Sequence, residues 1–184
     1  MRQFLALDLP DRWRRDLDDA RRRWLGADPG WRLPAIDSVH LTLRFLGEVE
    51  ATVDTGARAA WAEAVGSLPV FDLRLTGFGT FPDRGQPRIF WAGVDGGASL
   101  QGLASALESS ARSLGFAAED RGFRPHLTLA RARRGHRVRS PRAERLLDTA
   151  SFPVEEVILF RSVLDPAGAR YTALDRFVLS AAGD

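Results

Sequence analysis

His40–Leu43 and His126–Leu129 both read HLTL, and this tetrapeptide, met twice in 184 residues, decides the fold. Two of the chain's three histidines open the two copies. Successive side chains of a strand point to opposite faces. Each copy therefore sets a histidine and a threonine on one face, about 6–7 Å apart, and two leucines on the other. A lone copy has an ordinary structural explanation, because threonine is a good strand former and a histidine can start a strand at the surface. Duplication changes that balance. Two such strands related by a pseudo-twofold axis would bring two imidazoles and two hydroxyls to bear on one small anion.

Outward from the repeats, each half alternates helix and strand. Gln3–Leu9 reads as a buried strand, and Pro10-Asp11 opens a helix over Asp11–Leu25 with Trp13, Leu17, Ala20 and Trp24 on one face. The opposite face, with Arg14, Arg15, Asp18, Arg21 and Arg22, reads as solvated. Trp31–Leu33 is extended before Pro34, Val39–Leu46 is a strand, and Glu50–Val65 is a second helix. Phe71–Leu75 is a strand followed by a turn-rich loop, Gly77–Pro82, and Arg88–Val94 is a further strand. The second half continues with a helix over Ser99–Leu114, a strand over Arg124–Ala130 and an arginine-rich loop to Ser140. A short helix over Pro141–Asp148 and two strands, Val154–Leu164 and Tyr171–Leu179, complete it. Asp165–Gly168 (DPAG) between the last two has hairpin chemistry. The five tryptophans fall at core spacing. The pattern is α+β, one domain over residues 1–184 made of two similar halves, with motif one at 40–43 and motif two at 126–129.

Composition narrows the chemistry. All 26 cationic residues are arginine, so Schiff-base, lysyl-nucleotide and P-loop mechanisms are excluded. With no cysteine there is neither disulfide nor thiolate catalysis. The net charge is only +2, yet Arg121–Arg145 holds nine arginines against one acid, Glu144. Such a block is either a solvated loop or an electrostatic footprint for phosphates. No segment reaches the ~20 apolar residues of a membrane span, and the N-terminus lacks the pattern of a secretory signal. The expectation is a cytoplasmic monomer without a membrane partner. Neither motif has an Asp, Glu or Cys beside it at metal-ligand spacing, and no Gly-x-Ser-x-Gly elbow accompanies the histidines. We therefore expect no metal and no cofactor. Two histidines without a dedicated nucleophile point to acid–base catalysis by imidazoles, which ionise near pH ~6.5.

These residues resemble the 2H phosphoesterases, and within them the bacterial and archaeal RNA 2′,3′-cyclic phosphodiesterases, also called 2′–5′ RNA ligase-like proteins. The resemblance runs through Arg2–Pro10 (RQFLALDLP), Val39–Val49 (VHLTLRFLGEV), Pro87–Val94 (PRIFWAGV), Phe123–Arg131 (FRPHLTLAR) and Phe160–Tyr171 (FRSVLDPAGARY). It implies a bilobal fold: two pseudo-twofold-related lobes of mainly antiparallel sheet, with outer helices around a central cleft. It also implies metal-free hydrolysis of RNA-terminal 2′,3′-cyclic phosphates, tRNA halves among them, to 2′-phosphates, with 2′–5′ RNA ligation as a side activity. Carried onto this chain, His126 is the general base toward water and His40 the general acid toward the 3′ oxygen. Thr42 and Thr128 then donate hydrogen bonds to the non-bridging oxygens.

Two further residues follow from the internal symmetry. Arg131, five residues after His126, is the candidate cation for the phosphate. Strict alternation turns it away from the cleft, so it reaches in only if the strand bulges near Ala130. Phe45, five residues after His40, is its counterpart and either stacks on a base or packs in the core. The arginines from Arg133 to Arg139 are sequence-blind backbone contacts or a solvated loop, and His136 among them is a surface residue. Two other functions compete. One is a non-catalytic RNA-binding protein using the Arg133–Arg139 loop. The other is a phosphodiesterase of the same fold acting on a small cyclic nucleotide, ADP-ribose cyclic phosphate or 2′–5′ oligoadenylate.

Overall fold

Arg2–Leu7 forms the first strand, β1, and from Gln3 onward every side chain in it is buried. Burial on both faces is what a central strand requires, and β1 is flanked on each side by an antiparallel partner. The structure, a computed structural model, describes residues 1–26, 28–139, 150–165 and 168–181. After β1 come helix α1 (Asp11–Leu25), β2 (Trp31–Arg32), a 3-10 turn at Ile36–Ser38, β3 (Leu41–Glu48) and α2 (Ala51–Gly66). They are followed by β4 (Phe71–Phe81), β5 (Ile89–Asp95), α3 (Gly97–Ser113) and β6 (His126–Ala132). The chain ends with β7 (Phe152–Val154), β8 (Glu156–Asp165) and β9 (Gly168–Val178).

The nine strands make one sheet in the order β7-β4-β5-β6-β3-β1-β8-β9, with β2 paired to β6. Read outward from its middle, the sheet is the same twice: β6-β5-β4-β7 on one side and β3-β1-β8-β9 on the other. The halves meet through a single Cα pair, Leu41↔Leu127, the first leucines of the two HLTL motifs. The α+β architecture with two related halves is thus present, and the repeated motif sits on its symmetry point. Helix α1 puts Trp13 against Phe152 and Trp24 against Phe78 and Phe90, covering the half that contains β4–β7. Helices α2 and α3 pack on each other and reach β9 and β3 of the opposite half. Each helix layer therefore covers strands from the other part of the chain, and one hydrophobic core runs through both halves.

Three expectations need correction. Gly77–Phe81 is not a loop but the second part of β4, paired through to Phe81↔Ile89. Glycine there is not punctuation: a Cβ on Gly79 would lie 2.2 Å from the Trp91 ring, so the indole lies against bare backbone. Trp91 accordingly lies half-buried on the sheet rather than in the core, where Trp13, Trp31 and Trp61 do sit. Arg21 is not on a solvated face either, being only 2% exposed. Its guanidinium pairs with Asp18 and donates to the carbonyls of Pro34 (2.7 Å) and Leu129 (3.3 Å). The helix expected over Pro141–Asp148, and Pro166 and Ala167 of the final turn, lie outside the described residues.

Candidate active site

The antiparallel pair Leu41↔Leu127 fixes the site. One residue further in each direction, the same register sets Thr42 level with His126 and His40 level with Thr128, on the face opposite the buried leucines. No second pair joins β3 to β6 among the described residues, so the ladder opens on either side of the junction. The two His-x-Thr units therefore face each other head to tail across a cleft.

Both histidines are tied down in the same way. His40 Nδ1 lies 2.8 Å from the Ser38 carbonyl, and His126 Nδ1 lies 2.7 Å from the Arg124 carbonyl. A carbonyl only accepts, so Nδ1 carries the proton in each ring, and the lone pair of the neutral imidazole is on Nε2. The ring surroundings differ. His40 stacks on Phe4 at 4.7 Å, meets Tyr171 edge-on at 5.0 Å and lies 6.1 Å from Phe160. His126 has one aromatic neighbour of this kind, Phe81 at 5.1 Å, whose ring carries the Arg124 guanidinium 4.7 Å above it. Burial pushes the His40 imidazole down to about 4; the Ser38 carbonyl and Asp8 oppose this, while Arg131 and Arg14 add to it.

Arg131 stands on the face of β6 that carries His126 and Thr128, and a bulge is the reason. Across β5 and β6, Trp91 pairs with Thr128 but Phe90 pairs with Ala130, so β6 carries one extra residue at this step. Leu129 and Ala130 are both fully buried, and the alternation restarts with Arg131 on the face of His126 and Thr128. Its charge is felt at His40. The Leu129 carbonyl within the bulge accepts a hydrogen bond from the buried Arg21. β3 does the same against β1, where Ala6 pairs with Thr42 but Leu5 pairs with Arg44. Leu43 and Arg44 are both buried there, and Phe45 emerges 57% exposed. Core packing is therefore not its role. Arg44 is held at 4% exposure by Glu108 (2.6 Å), Glu119 (3.1 Å) and the carbonyls of Phe45 and Ala117. Glu119 also accepts the Phe45 N–H at 3.1 Å, so this ion-pair cluster presents the ring.

The two ends of the cleft differ. At the His126 end lies a groove of about 1040 Å³, bounded by Thr42, Phe45, Phe81, Arg88, Phe123 and Arg124. His40 and Arg131 lie toward the other end, beside Tyr171 of β9 and Arg32 of β2. Sequence reasoning missed Arg14, which binds Asp8 and donates to the carbonyls of Ile36, Asp37 and Val39, holding the turn whose Ser38 carbonyl orients His40. Only its place on the polar side of α1 was legible. Arg133 of the arginine-rich loop is bound to the Pro29 carbonyl at 3.0 Å and serves to tie two loops together. Among the described residues, no three His, Cys, Asp or Glu side chains gather to hold a metal ion. No helix there is long and apolar enough to cross a membrane.

Comparison with known proteins agrees with this geometry. The family profile of the 2′-5′ RNA ligase superfamily matches residues 9–166. An RNA 2′,3′-cyclic phosphodiesterase of Geobacillus stearothermophilus is 37% identical over 150 residues, which are 80% of this chain and 48% of that protein. The chain thus spans about half the length of that relative. One of the same name from Thermus thermophilus is 34% identical over 189 residues, covering 97% of this chain and 90% of its own. The crystal structure of TT0787 of Thermus thermophilus superposes with a TM-score of 0.84 at 33% identity, covering 98% and 99% of the two chains. Escherichia coli LigT in complex with 3′-AMP gives 0.80 at 31%, with 97% of each chain covered. The chain belongs to the 2′-5′ RNA ligase superfamily, the 2H phosphoesterases.

Proposed function

We propose that the chain hydrolyses RNA-terminal 2′,3′-cyclic phosphates to 2′-phosphates, with His40 and His126 as an acid–base pair. The observation that carries this reading is the head-to-tail facing of two His-x-Thr units, each ring held through Nδ1 with its lone pair on Nε2. In-line opening of a cyclic diester needs one proton acceptor and one donor at opposite apical positions, and this pair supplies both. Water attacks phosphorus as His126 Nε2 takes its proton. The bond from phosphorus to O3′ breaks as His40 Nε2 delivers a proton to that oxygen. Thr42 and Thr128 donate to the non-bridging oxygens, and Arg131 supplies the positive charge. Phe45, exposed beside the groove, offers a face for a base. A 5′-hydroxyl in the place of water would give a 2′–5′ linkage by the same steps. The names of the Thermus and Geobacillus relatives and the 3′-AMP complex of LigT support the nucleotide substrate. We read the chain as one domain acting as a monomer in the cytoplasm.

A second reading exchanges the two roles, and the His40 environment favours it. An imidazole held at about 4 is neutral at pH 7, so His40 has a lone pair to accept a proton and none on Nε2 to give. To act as the acid it must first take up a proton from solvent, which a neighbouring phosphate anion favours.

The test is incubation of the protein with cyclic-phosphate RNA oligomers and with 2′,3′-cyclic mononucleotides, followed by assignment of the phosphorylated hydroxyl. The expected product is the 2′-phosphate. A 3′-phosphate would overturn the direction of opening, and absence of turnover on all these substrates would overturn the proposal.

A further inference from the structure

Glu119, in the loop between α3 and β6, lines the groove at the His126 end, and only one of its two oxygens is engaged. Oε1 accepts from Arg44 Nη1 and from the Phe45 N–H, each at 3.1 Å. Oε2 has no hydrogen-bond partner among the described residues, and 38% of the side-chain surface is open. The carboxylate is also held in place. Its own N–H donates to Glu108 Oε1 at 3.3 Å, and Glu108 pairs with Arg44 at 2.6 Å. Arg44 thus brings one positive charge against two carboxylates, and the cluster leaves one negative charge on the groove wall. In a groove for a phosphate ligand such a charge opposes binding, unless the ligand also carries a hydrogen-bond donor that meets it. The ring beside it says where that donor comes from. Phe45 is 57% exposed, and Thr42, three residues earlier on β3, lines the same groove. Three residues of strand span roughly 10 Å, comparable to the reach of a nucleotide from its phosphate to the far edge of its base.

Resting on the hydrolytic reading above, we propose that Glu119 selects the base of the terminal nucleoside, its Oε2 accepting a hydrogen bond from an exocyclic amine. With the phosphate at Thr42 and the base stacked on Phe45, the polar edge of the base meets the carboxylate. Cytosine and adenine present an amine at that edge. Uracil presents a single N–H flanked by two carbonyl oxygens, and a carboxylate repels both. A site built to receive a donor discriminates strongly against a ligand that lacks one, because its own polar atom is then left unpaired. The enzyme is therefore selective for RNA ends that finish in cytidine or adenosine over those that finish in uridine.

Titration calorimetry with cytidine 2′-monophosphate and uridine 2′-monophosphate tests this without turnover. The two nucleotides share phosphate, sugar and ring size and differ at the edge that meets Glu119. The wild type binds the cytidine nucleotide about 10- to 100-fold more tightly, the range of one hydrogen bond to a charged group. In Glu119→Gln the shape is kept, but the amide can turn either its oxygen or its nitrogen to the base, and the ratio falls toward one. A merely structural role for Glu119, as a support for Arg44 and Phe45, would lower both affinities in that variant and leave their ratio unchanged, and that result overturns the proposal. Equal affinities in the wild type overturn the base selection alone. Binding of neither nucleotide overturns it together with the reading of the cleft as a nucleotide site.

Discussion

The two halves of the molecule carry the same motif into different surroundings. His40 is enclosed by three aromatic rings from β1, β8 and β9, whereas His126 has Phe81 on one side and an open groove on the other. The backbone treats them alike, with the same Nδ1 tether two residues back and a bulge that restarts the alternation after each motif. Duplication therefore supplies two imidazoles on one face, and aromatic packing lowers the proton affinity of His40. A symmetric cleft with two identical imidazoles would have no preference for which end receives the leaving oxygen. Aromatic enclosure of one of them breaks that degeneracy.

Removing either imidazole is the most severe way to break the comparison. His40→Ala and His126→Ala should each lower kcat by about 10²–10⁴-fold with the fold intact, and the double variant should lose much less than the product of the two. A substrate with an aryl leaving group needs no proton at departure. If His40 is the acid, that substrate restores most of the rate lost in His40→Ala and none of that lost in His126→Ala. Under the reversed assignment the rescue moves to His126→Ala, and rescue of neither variant would sink the division of labour altogether. Rates should be unchanged by EDTA; a loss restored by zinc would contradict the metal-free mechanism.

The bulge after the second motif can be tested through the buried side chain that satisfies it. Arg21→Met removes the donor to the Leu129 and Pro34 carbonyls and the partner of Asp18. Burial pushes the Asp18 carboxyl up, but hydrogen bonds from Arg22 and Arg21 outweigh it and hold the group below its ordinary range. Asp18 keeps Arg22, so the main cost is the two carbonyls left without a donor, about 1–3 kcal/mol, measurable by chemical denaturation. Because the bulge sets Arg131 on the face of His126 and Thr128, the same variant should raise KM more than it lowers kcat. A stability loss with unchanged KM would separate Arg21 from the site.

The HLTL pair, the helix over Asp11–Leu25 and the antiparallel ending were legible because each rests on local periodicity. The condition on Arg131 was legible as well, since strand alternation alone says a bulge is needed. What escaped were features set by contacts distant in sequence. Arg21 and Arg14 sit among other arginines on α1, and nothing local separates them from Arg22 or Arg15. Gly79 looked like a turn residue because its purpose, room for the Trp91 indole, lies on the neighbouring strand.

The enclosure of His40 should also be visible in stability. Folded His40 holds its proton only below about pH 4, whereas an unfolded histidine binds it near ~6.5. Between these values the unfolded chain carries the extra proton, so stability falls as pH falls through the window, by up to about 3 kcal/mol. The contribution is complete above the unfolded value. His40→Gln should flatten the unfolding free energy across that window, measured by urea denaturation at closely spaced pH values. An unchanged slope would mean that the aromatic pocket does not depress the imidazole, and the case for reversed roles would lose its basis.

The smallest expected effect concerns the exposed counterpart of Arg131. Phe45 stands at the position where the second half carries a cation, and it is presented by the Arg44–Glu119 cluster with more than half of its surface open. Stacking of a base on an aromatic ring is worth about 1–3 kcal/mol. Phe45→Ala should therefore raise KM for a cyclic-phosphate oligomer by roughly 5- to 100-fold with little change in kcat, because stacking is made equally in ground and transition states. Phe45→Trp should retain the affinity, and Phe45→Leu, of similar hydrophobicity but without a π face, should not. If leucine serves as well as phenylalanine, the ring only shields the cleft from water, and the symmetry between Phe45 and Arg131 is one of position without a division between base and phosphate.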